Sequence, residues 1–222
     1  MKIIALTDLH GGINALESLA GPLRSADLVL LCGDITHFGH KREMEDILQL
    51  VLKINSSVFA VSGNCDYPDS EIYLEKSGIS LNAVTCAFRG YTLFGLSGSL
   101  PCPGKTPNEY EEEEYEAILD NLVIPRETPL LMVSHQPPYG TLNDEVSSGF
   151  HVGSKVIRNY IEKMQPLICF TGHIHEGIGI DHIGKTAIVN PGPASTGRYV
   201  LTELSEPAKD VWTIRLSSPA QH

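Results

Sequence analysis

The sequence predicts an α/β protein in which two mixed sheets pack together and carry helices on their outer faces. Three observations support this. Short apolar runs without alternation recur along the chain, as they do in strands buried on both faces. Segments with a helical apolar period lie between them. Towards its end the chain changes to short strands joined by turns.

The elements follow in order. "KIIALTD" opens the chain as an apolar run ending in a polar residue, and "ADLVLLCGD", "SVFAVSGNCD", "TPLLMVSHQPP" and "PLICFTGHIH" repeat the pattern. Residues 12–20, with Asn14, Leu16 and Leu19, suit a short helix. Residues 41–54 place Met44, Ile47, Leu48, Val51 and Leu52 on one face. Residues 109–122 begin with five acids in six residues, which suits the positive end of a helix dipole. Residues 153–164 bring Val156, Ile157, Ile161 and Met164 to one side, with Ser154 placed to cap them. Residues 84–98 read as strands joined by turns, as do "GIGIDHIGKTAIVNPG", "GRYVLTEL" and "DVWTIRLS", and the tail "SSPAQH" is expected to fray. The stretches 99–108 and 137–151 read as surface loops. No linker or repeat divides residues 1–222, so one domain is expected.

Composition narrows the function classes. A formal net charge of -11 attracts cations and repels polyphosphate, which argues against a long nucleic-acid partner. No apolar run reaches the ~18 residues that a membrane span needs. The start is interrupted too early for a signal peptide, so a cytoplasmic location is expected. The five cysteines are widely spaced and match no zinc-ribbon or redox spacing. "CPGKT" lacks the upstream glycine of a phosphate loop. Association into a homo-oligomer stays open.

The apolar runs end in Asp8 and His10, Asp34, Asn64, His135, then His173 and His175. Sites in α/β sheets form beyond the carboxyl ends of the strands, so all seven converge on one edge. Mixed nitrogen and oxygen donors suit Mn²⁺, Fe²⁺, Co²⁺, Ni²⁺ or Zn²⁺. The absence of a thiolate cluster favours Mn²⁺ here. Seven donors exceed one four-coordinate ion and match two ions that share a carboxylate. Such a pair binds both the attacking and the leaving oxygen of a phosphoryl centre.

In "DLH" at 8–10, "GD" at 33–34, "GNCD" at 63–66, "SH" at 134–135 and "GHIH" at 172–175, the sequence resembles the calcineurin-like metallophosphoesterases. Each motif alone is weak, but the combination is specific. The resemblance implies a four-layer α/β/β/α sandwich with a bimetal centre. It assigns Asp8, His10 and His175 to one ion and Asn64, His135 and His173 to the other. Asp34 bridges them together with a water or hydroxide, which attacks phosphorus in line with the leaving oxygen. Many members have His after the Asn, where this chain has Cys65. A thiol is a poorer acid toward a basic alkoxide. Members with "GNCD" resemble small prokaryotic-type phosphodiesterases. The expected activity is therefore phosphodiester hydrolysis on a small substrate. Monoesterase or pyrophosphatase activity and a non-catalytic interaction scaffold are the alternatives.

Other residues join the expected site. His151, between Gly149 and Gly153, is a candidate for substrate contact or proton transfer, with plain loop structure as the competing reading. His37 could reach a phosphate from the rim, and Asn190 could contact substrate from its turn. Asp66 could orient Asn64 or a histidine from behind.

Overall fold

The computed structural model describes residues 1–125, 127–205 and 212–217. It is the predicted four-layer sandwich. One sheet contains β1 (Lys2–Leu6), β2 (Leu28–Cys32), β3 (Val58–Val61), β10 (Val200–Leu204) and β11 (Trp212–Leu216) in the order β11-β10-β1-β2-β3. The other contains β4 (Thr85–Phe88), β5 (Tyr91–Leu96), β6 (Leu130–Ser134), β7 (Ile168–Thr171), β8 (Gly179–Ile183) and β9 (Thr186–Asn190) in the order β4-β5-β6-β7-β9-β8. Both sheets are mixed. The strands β1-β2-β3 and β5-β6-β7-β9 run parallel, with antiparallel pairing at β10-β11, β4 and β8, while β3 ends the first sheet as a parallel edge strand.

The missing alternation has a direct cause. Ile3 and Ala5 of β1 face the gap between the sheets, where they meet Leu131, Val133, Phe170 and Val189. Ile4 and Leu6 face the other way, onto α1 (Ile13–Ser25), α2 (Lys41–Ile54) and α3 (Pro68–Lys76). On the far side, Phe94, Met132 and Ile188 pack under α4 (Glu112–Asn121) and α5 (Lys155–Met164). Apart from Lys2, the residues of β1, β2, β5, β6, β7 and β9 are thus buried on one face or the other, and an amphipathic pattern has no reason to appear there.

Several boundaries differ from the sequence reading. Helix α1 runs through Gly21 and Pro22 to Ser25, because Leu23 is fully buried and offsets the helix breakers. Helix α4 starts at Glu112. Glu109 stays in the preceding loop, accepting from the Cys102 and Thr106 amides, while Glu111 and Glu114 form a capping box. Ser154 caps α5 by accepting from the Ile157 amide. Residues 84–98 and 177–192 each hold a hairpin, and the first turns at Arg89-Gly90 with both φ positive. Stretch 137–151 is no loose surface loop, since Thr141, Asn143 and Asp144 within it are buried. Residues 218–222 of the tail expected to fray lie outside the described residues.

Candidate metal centre

Seven side chains meet where the strands of the two sheets end. Asp8 and His10 follow β1, Asp34 follows β2, and Asn64 follows β3. From the second sheet, His135 follows β6, and His173 and His175 follow β7. The loops keep pairing beyond the strands: the His10 amide donates to the Asp34 carbonyl (2.8 Å), and the Gly172 amide donates to the His135 carbonyl (3.2 Å). Gly63 leaves room for Asp34, and Gly33 for the His135 ring, because a Cβ at either glycine would collide with its neighbour.

The donors form two groups around Asp34. His10 Nε2 lies 3.8 Å from Asp34 Oδ2, 3.9 Å from Asp8 Oδ1 and 3.3 Å from His175 Nε2. His175 Nε2 is 3.4 Å from Asp8 Oδ1. On the other side, His135 Nε2 lies 3.5 Å from Asp34 Oδ1 and 3.0 Å from Asn64 Oδ1. The His173 ring stands edge-on to His135, with 5.3 Å between centroids. His135 Nδ1 donates to the Cys32 carbonyl at 2.8 Å, which leaves Nε2 to face the other donors. The two oxygens of Asp34 therefore address different donor groups.

The site fits cations. Asp8 is 1% exposed, and neither of its carboxylate oxygens has a hydrogen-bond partner. A buried carboxylate left in that state is costly unless a positive charge joins it. Asp8, His10, Asp34 and His173 all have φ between +47° and +67°. Such backbone is uncommon outside glycine, and strained residues of this kind cluster at functional sites.

Electrostatics follow from the packing. Burial alone would lower the His135 pKa, but the charge and hydrogen-bonding contact of Asp34, the Asp8 charge and the Cys32 carbonyl together raise the value to about 9. Burial and the nearby His135 lower His173 to about 4. The Asp8 carboxylate, with Oδ1 3.4 Å from the ring nitrogen, raises His175, whereas burial lowers His10.

The remaining candidates separate. His37 packs edge-on against His10, with 5.4 Å between ring centroids, and so reaches the rim. Cys65 is 8% exposed, its amide donates to Asp34 Oδ1 at 2.8 Å, and its sulfur lies beside His10 and Asp34. Burial and the Asp34 charge push its thiol far above the ordinary range. Asp66 works on backbone. Its carboxylate accepts from the Ile35, Thr36 and Gly63 amides and from the Thr36 hydroxyl, which pins the Asp34 loop to the Asn64 loop. Asn190 is fully buried; it donates to the Ile174 carbonyl and accepts from the Gly192 amide, so it shapes the turn between the last two histidines. His151 is held by Asp144 at 2.8 Å and lies outside the converging donor groups. Its loop touches the metal edge elsewhere, through Ser147 to Glu176 at 3.0 Å.

Two contributors escaped the sequence reading. The Cys102 sulfur sits 3.7 Å from His173 Nε2. Gln136 accepts from the Leu100 amide and donates to the Val152 carbonyl, which ties two loops to the His135 strand end. Cys102 carries no motif signal. Gln136 directly follows His135, and that position is its only mark.

Fold and donor set together define a metal-binding phosphoesterase scaffold, and the chain belongs to the calcineurin-like phosphoesterases, whose family model matches residues 1–177. It is 39% identical over 203 residues to the uncharacterized protein MJ1162 of Methanocaldococcus jannaschii, covering 88% of this chain and 89% of that one. Two crystal structures share the fold. One superposes with a TM-score of 0.79 at 19% identity over 99% of both chains. The other, TT1561 of Thermus thermophilus, gives a TM-score of 0.66 at 18% identity over 96% of this chain and 97% of that one. Among the described residues, no helix is long and apolar enough to cross a membrane.

Proposed function

We propose that this chain hydrolyses small phosphodiesters with two divalent ions, Mn²⁺ being the favoured metal. The observation that carries the reading is Asp34, whose two oxygens face separate donor groups. Asp8, His10 and His175 would hold one ion, Asn64, His135 and His173 the other, and Asp34 both. Bound divalent ions supply activation of a water for attack at phosphorus and neutralisation of charge on the phosphoryl oxygens. The chain's own residues fix the donors and decide which proton moves. His135 keeps its Nδ1 proton on the Cys32 carbonyl, so its orientation is set before substrate arrives. His37 stands on the more open side, next to His10. The test is metal-dependent turnover of bis(p-nitrophenyl) phosphate against p-nitrophenyl phosphate. A scaffold without activity shows neither.

Loading the site should release a proton. With its pKa raised to about 9, His135 is protonated in the metal-free protein near neutral pH. It must lose that proton from Nε2 to become a ligand. His173, lowered to about 4, is already neutral. Calorimetry at about pH 7.5 in buffers of different ionisation enthalpy should read proton release on metal binding, and the release should vanish above about pH 10 as the metal-free His135 deprotonates. Uptake, or no buffer dependence at pH 7.5, contradicts this picture of the site.

Cys65 sets the expected substrate preference. Its thiol stays protonated beside Asp34 and is a poor acid for a strongly basic alkoxide. An activated diester needs little help at the leaving oxygen, whereas an alkyl monoester needs more. Cys65→His should shift the ratio of kcat/KM values toward monoesters by about 10-fold, or ~1.4 kcal/mol of differential barrier. Cys65→Ala should leave diester cleavage largely intact. Loss of diester turnover in Cys65→Ala with both ions still bound would give the thiol a direct catalytic role.

A further inference from the structure

One feature beside the metal centre has no part in holding ions. Phe38 is 47% exposed and has φ +56°. A bulky side chain rarely adopts that backbone, and the strain persists only where the surroundings impose it. Here they do. Asp66 holds the Thr36 amide at 2.8 Å and its hydroxyl at 2.6 Å, and the Gly39 amide donates to Thr36 Oγ1 at 3.1 Å. The Ser70 hydroxyl holds the Gly39 carbonyl from the far side at 3.2 Å. Phe38 is therefore presented on a short loop tied down at both ends.

The ring is presented next to the open side of the donor cluster. Phe38 packs edge-on against His37 with 5.1 Å between centroids, and His37 packs edge-on against His10 at 5.4 Å. The side chains on this side are the accessible ones: His10 is 18% exposed and His175 48%, whereas Asp8 is 1% and His135 0%. A phosphate ester entering past the exposed His10 and His175 would bring its organic part toward His37 and Phe38. Those rings offer faces and edges but, at Phe38, no hydrogen-bonding group. A flat partner gains most from such a surface, because stacked or edge-on rings bury area in a preferred geometry.

Resting on the phosphoesterase reading above, we propose that Phe38, backed by His37, is a specificity-determining subsite that receives a planar, uncharged ring carried by the phosphate ester. The ring belongs to the group retained on phosphorus or to the leaving group alike, since the subsite reads shape and not reactivity.

The test compares phenylphosphonate with methylphosphonate, two non-hydrolysable ligands with the same phosphoryl oxygens, by calorimetry on the metal-loaded full chain. Wild type should bind the phenyl compound about 10-fold more tightly. Phe38→Ala should bring the two affinities within about 2-fold while leaving methylphosphonate binding unchanged, and Phe38→Tyr should keep the preference. Phe38→Gly relieves the backbone strain, so it should raise thermal stability and still lose the preference. A structural role alone would instead weaken both ligands together. Equal affinities in wild type, or a preference that survives Phe38→Ala, overturns the subsite while leaving the phosphoesterase reading in place. Failure of metal-loaded wild type to bind either phosphonate overturns both.

Discussion

Asp34→Asn should lower kcat/KM for an activated phosphodiester by about 10³-fold, or ~4 kcal/mol of transition-state stabilisation, and His10→Ala should lower it less. The difference follows from the geometry of the carboxylate. Asp34 Oδ2 faces His10 and Oδ1 faces His135, so one side chain serves both donor groups. His10 serves one. An amide at position 34 presents only one acceptor, and its NH2 must turn toward either a histidine or the Cys65 amide, which donates to Oδ1. It also removes the negative charge that would separate two neighbouring cations. Kinetics at saturating metal, with metal content measured in each variant, decide the matter. Equal and mild losses in the two variants count against a shared carboxylate.

Dialysis against a chelator should abolish turnover, and two divalent ions per chain should restore it. The metal-free protein keeps Asp8 buried with both oxygens unpartnered, beside Asp34 at 3% exposure. Cations that bind only the folded state relieve that cost and stabilise the fold by mass action. At a free metal concentration of about 100 times Kd this amounts to ~2.7 kcal/mol, or roughly 5–10 °C in Tm for a chain of this size. Elemental analysis together with a thermal titration checks both statements. A single tight ion with no second site on titration defeats the dinuclear reading.

The layers were legible in the sequence because their strands are buried on both faces. Ile3 and Ile4 serve different cores, so the run shows no alternation and reads as a central strand. Helix α3 was not legible. Ile72 is 47% exposed and only Leu74 among its aliphatic residues is deeply buried, so it has no apolar stripe. Its signals were Pro68 at the first position and Asp69 and Glu71 in the first turn. The convergence of seven donors was legible because each stands at the end of an apolar run. The direction in which a loop side chain points was not. Asn190 turns its amide to the backbone of the metal-edge turn, and His151 turns to Asp144. Cys102 meets His173 only because Glu109 gathers the loop around it. Contacts of that kind depend on how loops fold, which leaves no periodic mark in the sequence.

The placement of the donors along the chain bears on how the molecule comes apart. His10 and His175 meet across 165 positions of sequence, and His135 reaches Cys32 across 103. Each pair joins a strand end of one sheet to a strand end of the other. Ions held there would act as rivets through the seam of the sandwich, closing very long loops whose entropic cost grows only slowly with length. The fully metallated molecule should then exchange the amides of β2 and β6 together, as one cooperative unit. Without ions, the seam would depend on apolar contact between the sheets and on hydrogen bonds such as those from His135 to the Cys32 carbonyl and from the Gly98 amide to the Ser62 carbonyl, and the halves would open more separately. Mechanical coupling between the layers would then draw on the metal centre as well as on the core.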